Sequence, residues 1–534
     1  MVGRREGVDE TQESPGARAQ GEAMENLGRL ASDRGLQRWK RGLSVSFVAL
    51  MLAGPAAAQG VVKIGTNNLP VTRGDPTTSL TFQYLYVWQS MFDALTIVDE
   101  QGKPQPRLAA SWQNISPTTW QFKLRPGVKF HNGAPLTAEA IVTSVEVLIS
   151  DDGKVKGGPV YGALRNLAGA KRIDDMTVEI STATPGPILP SELAALRIAE
   201  PKAWTQLGRE GFSRQPAGTG PFRQVSWDDT KIVLTRFDDA WIKPKVDGLE
   251  ILNLPEMASR VQAFASGQID VAWTLSADTK SQVERAGGRL SVGPTPSVAA
   301  MMIHAQKPGP TQDKRVRQAF NYALNKAYAD TLFGGLAKAG SQPGASSVRG
   351  YQADIKPYPF DTAKAKQLLT EAGYPNGFPL SAEIVITGAK DMYEAVANDL
   401  ARIGVPTVLK PITLPDLLAR RDGRKEFEAE LFGYNFGGQP SNDMMRGINS
   451  FHSCLFPRKW TCFPEIEPVI AMVNAEFDEK KRDAGLRQIA QYYHENAPGI
   501  WLEEQIEIDA VSAKVRNYRN VNWVINFPEW ELAR

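Results

Sequence analysis

The sequence is poor in the residues that most often do chemistry. Its 534 residues contain two cysteines and four histidines. There is no Cys-x-x-Cys and no His-Glu-x-x-His, and the histidines at 131, 304, 452 and 494 have no second histidine at helical ligand spacing, which excludes the common zinc patterns. A nucleophile elbow is also missing: the nearest string, Gly211-Phe212-Ser213-Arg214-Gln215, lacks the final glycine that the sharp turn needs. An excess of one charge is absent too. The 61 basic and 59 acidic residues leave a net +2, so nothing is available to neutralise a phosphate backbone and nucleic acid is excluded as a partner. There is no internal repeat and no low-complexity tract.

Long apolar runs are absent as well. The longest candidate, Leu43 to Ala53, follows Arg38-Trp39-Lys40-Arg41 and is closed by Pro55 and Gln59, well short of the roughly 20 residues that span a bilayer. With Ala56 and Ala58 at A-x-A spacing, the segment reads as a secretory signal peptide cleaved after Ala58 rather than as an anchor. Residues 1–58 are thus a signal peptide with an N-terminal extension, Met24 is a second candidate start, and the expected location is the periplasm.

What is present is ordinary globular sequence, 42% hydrophobic, 22% charged and 9% aromatic, enough for two or three domains. Residues 61–66 read as a buried strand and 80–95 as a helix by apolar spacing. Residues 119–125 alternate as a half-buried strand should, and Pro126-Gly127 turns the chain. Thr137 stands as N-cap before the helical AEAIVTSVEVLI. A hairpin is expected over 220–237, with Asp228-Asp229 at its turn. Helices are expected over 313–333, 360–372, 389–403 and 479–495, with strands at 382–388 and 427–433. This mixture is α/β. Trp112, Trp120 and Trp241 are read as core residues, and His131 as a turn residue.

The stretch GYNFGGQPSND, 433–443, sets Gly433 and Gly438 at phosphate-loop spacing. Gln439 and Pro440 stand where such a loop needs Lys and then Ser or Thr, and Pro440 has no N–H to offer a phosphate. The nucleotide reading fails.

Four ordered blocks carry a resemblance: MFDALTIVDEQGKPQPRLAASWQ with TTWQFKLRPGVKFHNGAPLTAEAIVTS (91–113 and 118–144), PAGTGPFRQVSW through ASGQIDVAW (216–273), DKRVRQAFNYALNK (313–326) and KPYPFDTAKAKQLLTEAGYPNGF (356–378). They resemble the large periplasmic solute-binding proteins of ABC transporters, the branch for oligopeptides, dipeptides and nickel complexes. The resemblance implies a two-lobed periplasmic-binding-protein fold (type II, large three-domain variant) with a hinge between the lobes. Lobe I would comprise 59–95, 220–305 and 505–534, with an inserted subdomain at 96–219, and lobe II would comprise 306–504. It implies a monomeric receptor, neither enzyme nor cofactor-dependent, that delivers a peptide or peptide-like solute to permease subunits driven by a cytoplasmic ATPase.

In that family the stretch at 433–443 faces the cleft, and peptide-binding members carry there an acidic string resembling G-D-P-D-N whose Asp receives the peptide's amino end. Gly438-Gln439-Pro440-Ser441-Asn442 is neutral at both acidic positions. A buried ammonium needs a counter-charge, so an opine, sugar or metal chelate is the alternative solute, unless Asp443 takes over the role. The ligand-binding candidates are Tyr434, Asn435, Phe436, Gly437, Gly438, Gln439, Asn442 and Arg446, with Tyr84, Trp88 and Trp501 as further aromatics; of Tyr434 and Phe436, one is expected to face the core. Cys454 and Cys462 either join His452 around a metal or pair with each other, as thiols do in an oxidising compartment. Some relatives have a similar cysteine pair after this loop, and the disulfide is the expectation, with no metal. A secreted hydrolase working through carboxylates such as Glu503-Glu504 is the competing class; no motif asks for it.

Overall fold

The computed structural model describes residues 60–385, 390–421, 424–454 and 460–533. The signal-peptide reading therefore falls outside the described residues. Among the described residues no helix is long and apolar enough to cross a membrane.

The framework is one 11-stranded sheet. Its strands run in the order 407–412, 380–385, 431–437, 288–303, 499–512, 271–272, 61–66, 248–253, 231–236 and 222–227, and the short strand Lys338–Ala339 pairs with 499–512. Two strands are much longer than the rest. Gly288–Ile303 and Gly499–Ser512 run antiparallel, pairing from Gly288↔Ser512 to Met302↔Gly499, with irregularities between Pro294 and Ala300. Before the irregularity this pair joins the strands of the chain's first half, and beyond it the strands of the second half. These two strands therefore carry the chain from one half of the sheet to the other.

Sequence explains why they hold both halves. Residues 298–303 are Val-Ala-Ala-Met-Met-Ile and all are buried. Alternate side chains leave a strand on opposite faces, and Ala299, Met301 and Ile303 enter one core with Phe320, Tyr393 and Leu431. Val298, Ala300 and Met302 enter another with Phe432, Phe436 and Trp501. A strand covered on both faces has no need of polar alternation. The first half has its own core, running through Val62, Trp88, Phe122, Trp273 and Trp530.

Most expected elements are present. The strand at 61–66, the strand Thr119–Leu124, the hairpin 222–236 turned by Asp228, and the helices Phe82–Met91, Thr362–Glu371, Lys390–Arg402 and Glu479–Asn496 match the reading. Thr137 precedes the helix Ala138–Ile149, but its side chain makes no capping bond. The helix expected over 313–333 is two, Lys314–Ala323 and Tyr328–Phe333. Asn325 breaks it by accepting from the Ala327 N–H at 3.2 Å, while its own N–H goes to Asp399, a local bond that competes with the helix. The strand expected at 427–433 lies at Leu431–Gly437, because pairing with 297–303 sets its ends rather than local alternation. The strand expected at 382–388 is Leu380–Val385, and the residues after Val385 up to 389 lie outside the described set.

Candidate functional site

The strand Leu431–Gly437 ends opposite Ser297, inside the irregular stretch where the long strand passes between the halves. The turn that follows is therefore delivered to the junction. It is closed internally: the Asp443 N–H and the Ser441 hydroxyl both reach the Gly438 carbonyl, at 3.1 and 3.2 Å. The Gly438 N–H donates to Pro296 O at 2.7 Å, and the Asn442 carbonyl accepts from the Arg349 N–H at 2.8 Å. Asn442 holds a left-handed φ of 48°, which asparagine tolerates better than most residues, and the Gln439–Pro440 bond is cis.

The expectation that Tyr434 and Phe436 face opposite ways is wrong. They are two residues apart, so they share a face, and both pack on the core that holds Phe432 and Trp501. Asn435 is the one on the opposite face. Asp443 is not available to a ligand. Its Oδ1 accepts from the Met445 N–H at 2.9 Å, at the start of the helix Met445–Phe451, and its Oδ2 lies 2.7 Å from Arg482 Nη1, each side chain 3% exposed. Arg446 is half-buried and donates to Ser450 Oγ at 2.7 Å. Glu192, at the end of the short helix Leu189–Glu192, is pushed up to about 7 by burial, opposed by the nearby guanidinium of Arg446 and reinforced by Asp443; Arg482 and Arg165 also act on it. Gln439 is half-buried, and its Oε1 has no partner among the described residues.

The remaining aromatic candidates separate. Trp501 is 2% exposed and meets Phe436 edge-on at 5.1 Å, so it supports the site strand from the core. Trp88 is fully buried with its indole N–H on Arg73 O; it is scaffold, because its only polar atom is already used. Tyr84 stands half-buried beside it, 5.8 Å away ring to ring. Trp241 donates to Asp93 and lies under Arg107 and Arg125, and Trp112 packs near Phe122; both are half-buried and lie against the first core rather than within it. Trp120 does more than that, since its ring stacks on Phe477 at 6.2 Å and so links the 119–124 strand to the second half.

Sequence reasoning missed a second turn that hangs from the same long strand. The hairpin formed by Asn520–Val521 and Val524–Ile525 turns through Asn522 and Trp523, both at positive φ, 52° and 61°. Its Asn522 N–H donates to Pro294 O at 2.8 Å. Asn520 anchors it to Tyr86 and Asp509, and Phe82 stacks on Trp523 at 5.4 Å. Asn522 is 6% exposed, and neither amide atom has a hydrogen-bond partner among the described residues. Nothing in the local sequence marks it, because the chain meets Pro294 only after folding.

Cys454 and Cys462 form a disulfide with Cα atoms 4.9 Å apart. His452 is buried, and that burial depresses its imidazole to about 3. Among the described residues no group of three or more His, Cys, Asp or Glu could hold a metal. Glu503 and Glu504 face opposite sides of their strand. Glu503 sits by Lys326 and Tyr328, pushed up to about 8 by burial, while Glu504 accepts from the Ser346 N–H at 3.0 Å. They do not converge as a catalytic pair would.

Known proteins share this fold. Residues 103–454 match the model of the bacterial extracellular solute-binding proteins, family 5. The glutathione-binding protein GsiB of Pectobacterium atrosepticum is 27% identical over 504 residues, covering 90% of this chain and 95% of that protein. Among solved structures, the periplasmic binding protein DppA of Helicobacter pylori in complex with the peptide STSA superposes with a TM-score of 0.74 at 21% identity, over 89% of this chain and 98% of that one. HbpA2 of Haemophilus parasuis gives 0.77 at 22%, over 89% and 100%. The fold is the two-lobed type II periplasmic-binding-protein fold. Proteins of this family bind solutes and deliver them to the permease and ATPase of an ABC transporter; they are not enzymes, and the hydrolase reading is set aside. The chain belongs to the bacterial extracellular solute-binding proteins, family 5.

Proposed function

We propose that the protein captures a peptide or peptide-like solute at the junction of its two halves, in the periplasm, as a monomer exported and cleaved after Ala58. The halves follow the boundaries expected above, a reading supported by the separate cores on either side of the crossing strands. The ligand meets the turn Gly437–Asn442 and Arg446 on one side and the 520–525 hairpin on the other.

The observation that carries this reading is the charge at the turn. Its one carboxylate, Asp443, is committed to Arg482, and Gln439 and Ser441 are neutral. An ordinary peptide would bring an unpaired ammonium to a turn whose own carboxylate is already spent on Arg482, and a buried ammonium left without a partner costs several kcal/mol or more. A peptide-like solute whose amino group stands beside its own carboxylate makes no such demand. Glutathione, the ligand named for the Pectobacterium relative, has such an amino-acid head. Non-peptide solutes meet the same condition and form the second reading, favoured by the same neutral turn.

Mass spectrometry of solute released from freshly purified, denatured protein identifies the class. A thermal-shift panel of reduced glutathione, di- and tetrapeptides, opines, sugars and metal chelates then ranks it. Hits among peptide-like solutes without turnover are expected. Hits confined to sugars or chelates replace the solute class, and accumulating products overturn the receptor reading. In the same assay Gln439→Asp should shift preference toward peptides with an unpaired amino terminus.

A further inference from the structure

Asn522 is the buried amide in this region that the scaffold does not use. Its backbone is held, by the N–H on Pro294 O at 2.8 Å, but its side chain is 6% exposed with both amide atoms unpartnered among the described residues. Gln439, on the neighbouring turn, likewise keeps a buried Oε1 without a partner. The two turns hang from one strand. Gly438 is bonded to Pro296 O and Asn522 to Pro294 O, while the other edge of that strand is taken by Gly499–Ser512. The two accepting carbonyls belong to residues two apart in the irregular stretch, so the turns that carry the two amides are anchored side by side at the junction. The two carboxylates adjacent to the hairpin are occupied, Asp509 by Tyr518, Asn520 and the Thr274 N–H and Glu507 by the Thr274 hydroxyl at 2.9 Å and by Trp523.

A carboxamide offers one donor group and one acceptor, the complement of a peptide group. We propose that Asn522, with Gln439 on the neighbouring turn, forms a subsite that hydrogen-bonds an un-ionised peptide group of the solute and so ties the two halves together through the ligand. The subsite rests on the peptide-like reading above and assigns the amide bond, rather than either terminus, as the recognised feature.

The test is titration calorimetry on the full-length exported protein with reduced glutathione and the tetrapeptide Ser-Thr-Ser-Ala as probes. Asn522→Gly keeps the positive φ and removes the amide. It should bind both probes roughly 10-fold more weakly, with the melting temperature of the ligand-free protein unchanged. A tetrapeptide series with each peptide bond in turn replaced by an ester supplies a readout that a merely structural role would not move. The wild type should discriminate against one ester, and Asn522→Gly should bind that ester and the parent alike. Unchanged affinity in Asn522→Gly, or ester discrimination equal to the wild type, overturns the subsite and leaves the receptor reading standing. A wild type that binds neither probe overturns the peptide-like reading and the subsite together.

Discussion

Asp443 and Arg482 are each 3% exposed and 2.7 Å apart, so removing one partner strands the other charge in the interior. Asp443→Ala should lose about 3–5 kcal/mol in chemical denaturation, whereas Asp443→Leu combined with Arg482→Met should recover a large part of it. Equal losses in the single and double variants would contradict the pairing. Glu192 gives the second prediction at this scale. Its carboxyl is raised from 4.5 to about 7, by burial first, so the folded protein holds its proton more tightly than the unfolded chain. The stabilisation is complete below about pH 4.5 and is lost as pH rises through 7. Compared with Glu192→Gln, the wild type should lose stability progressively across that window; parallel curves from pH 4.5 to 8 would sink the assignment.

Among elements, the irregular stretch of Gly288–Ile303 positions everything at the junction. Gly293 has no room for a side chain, since a Cβ there would stand 1.9 Å from Asn520 O. Gly293→Ala must push the 520–525 hairpin off the strand, with a loss of about 1–3 kcal/mol and release of the Asn522–Pro294 bond. Hydrogen exchange should show faster exchange at the Asn522 amide than at Gly438, which hangs from Pro296 and is untouched. Exchange accelerated equally at both would mean that the strand itself had shifted.

For the whole molecule, a ligand bridging two halves joined by two strands acts on closure and on stability together. At 100 times its Kd the solute should stabilise the protein by about 2.7 kcal/mol, and the radius of gyration measured by solution scattering should fall on its addition. A solute that stabilises without compaction would bind one half alone and would remove the bridging role given to Asn522 and Gln439.

The sequence by itself determined the family, the mixed α/β class, the position of most helices and the neutrality of the 438–442 turn. Each depends on local pattern or on ordered blocks of residues, which survive without coordinates. It misplaced the site strand by four residues at its start, since 427–430 alternate as well as 431–437 and only pairing with Ser297–Ile303 chooses between them. It also left Asp443 open, although Arg482, which neutralises it, lies on a helix far along the chain. The tertiary structure decided which polar groups are spent and which are left over. Asn522 and Gln439 reach the junction because two turns, distant in sequence, hang from neighbouring carbonyls of one strand, a contact that no local propensity encodes.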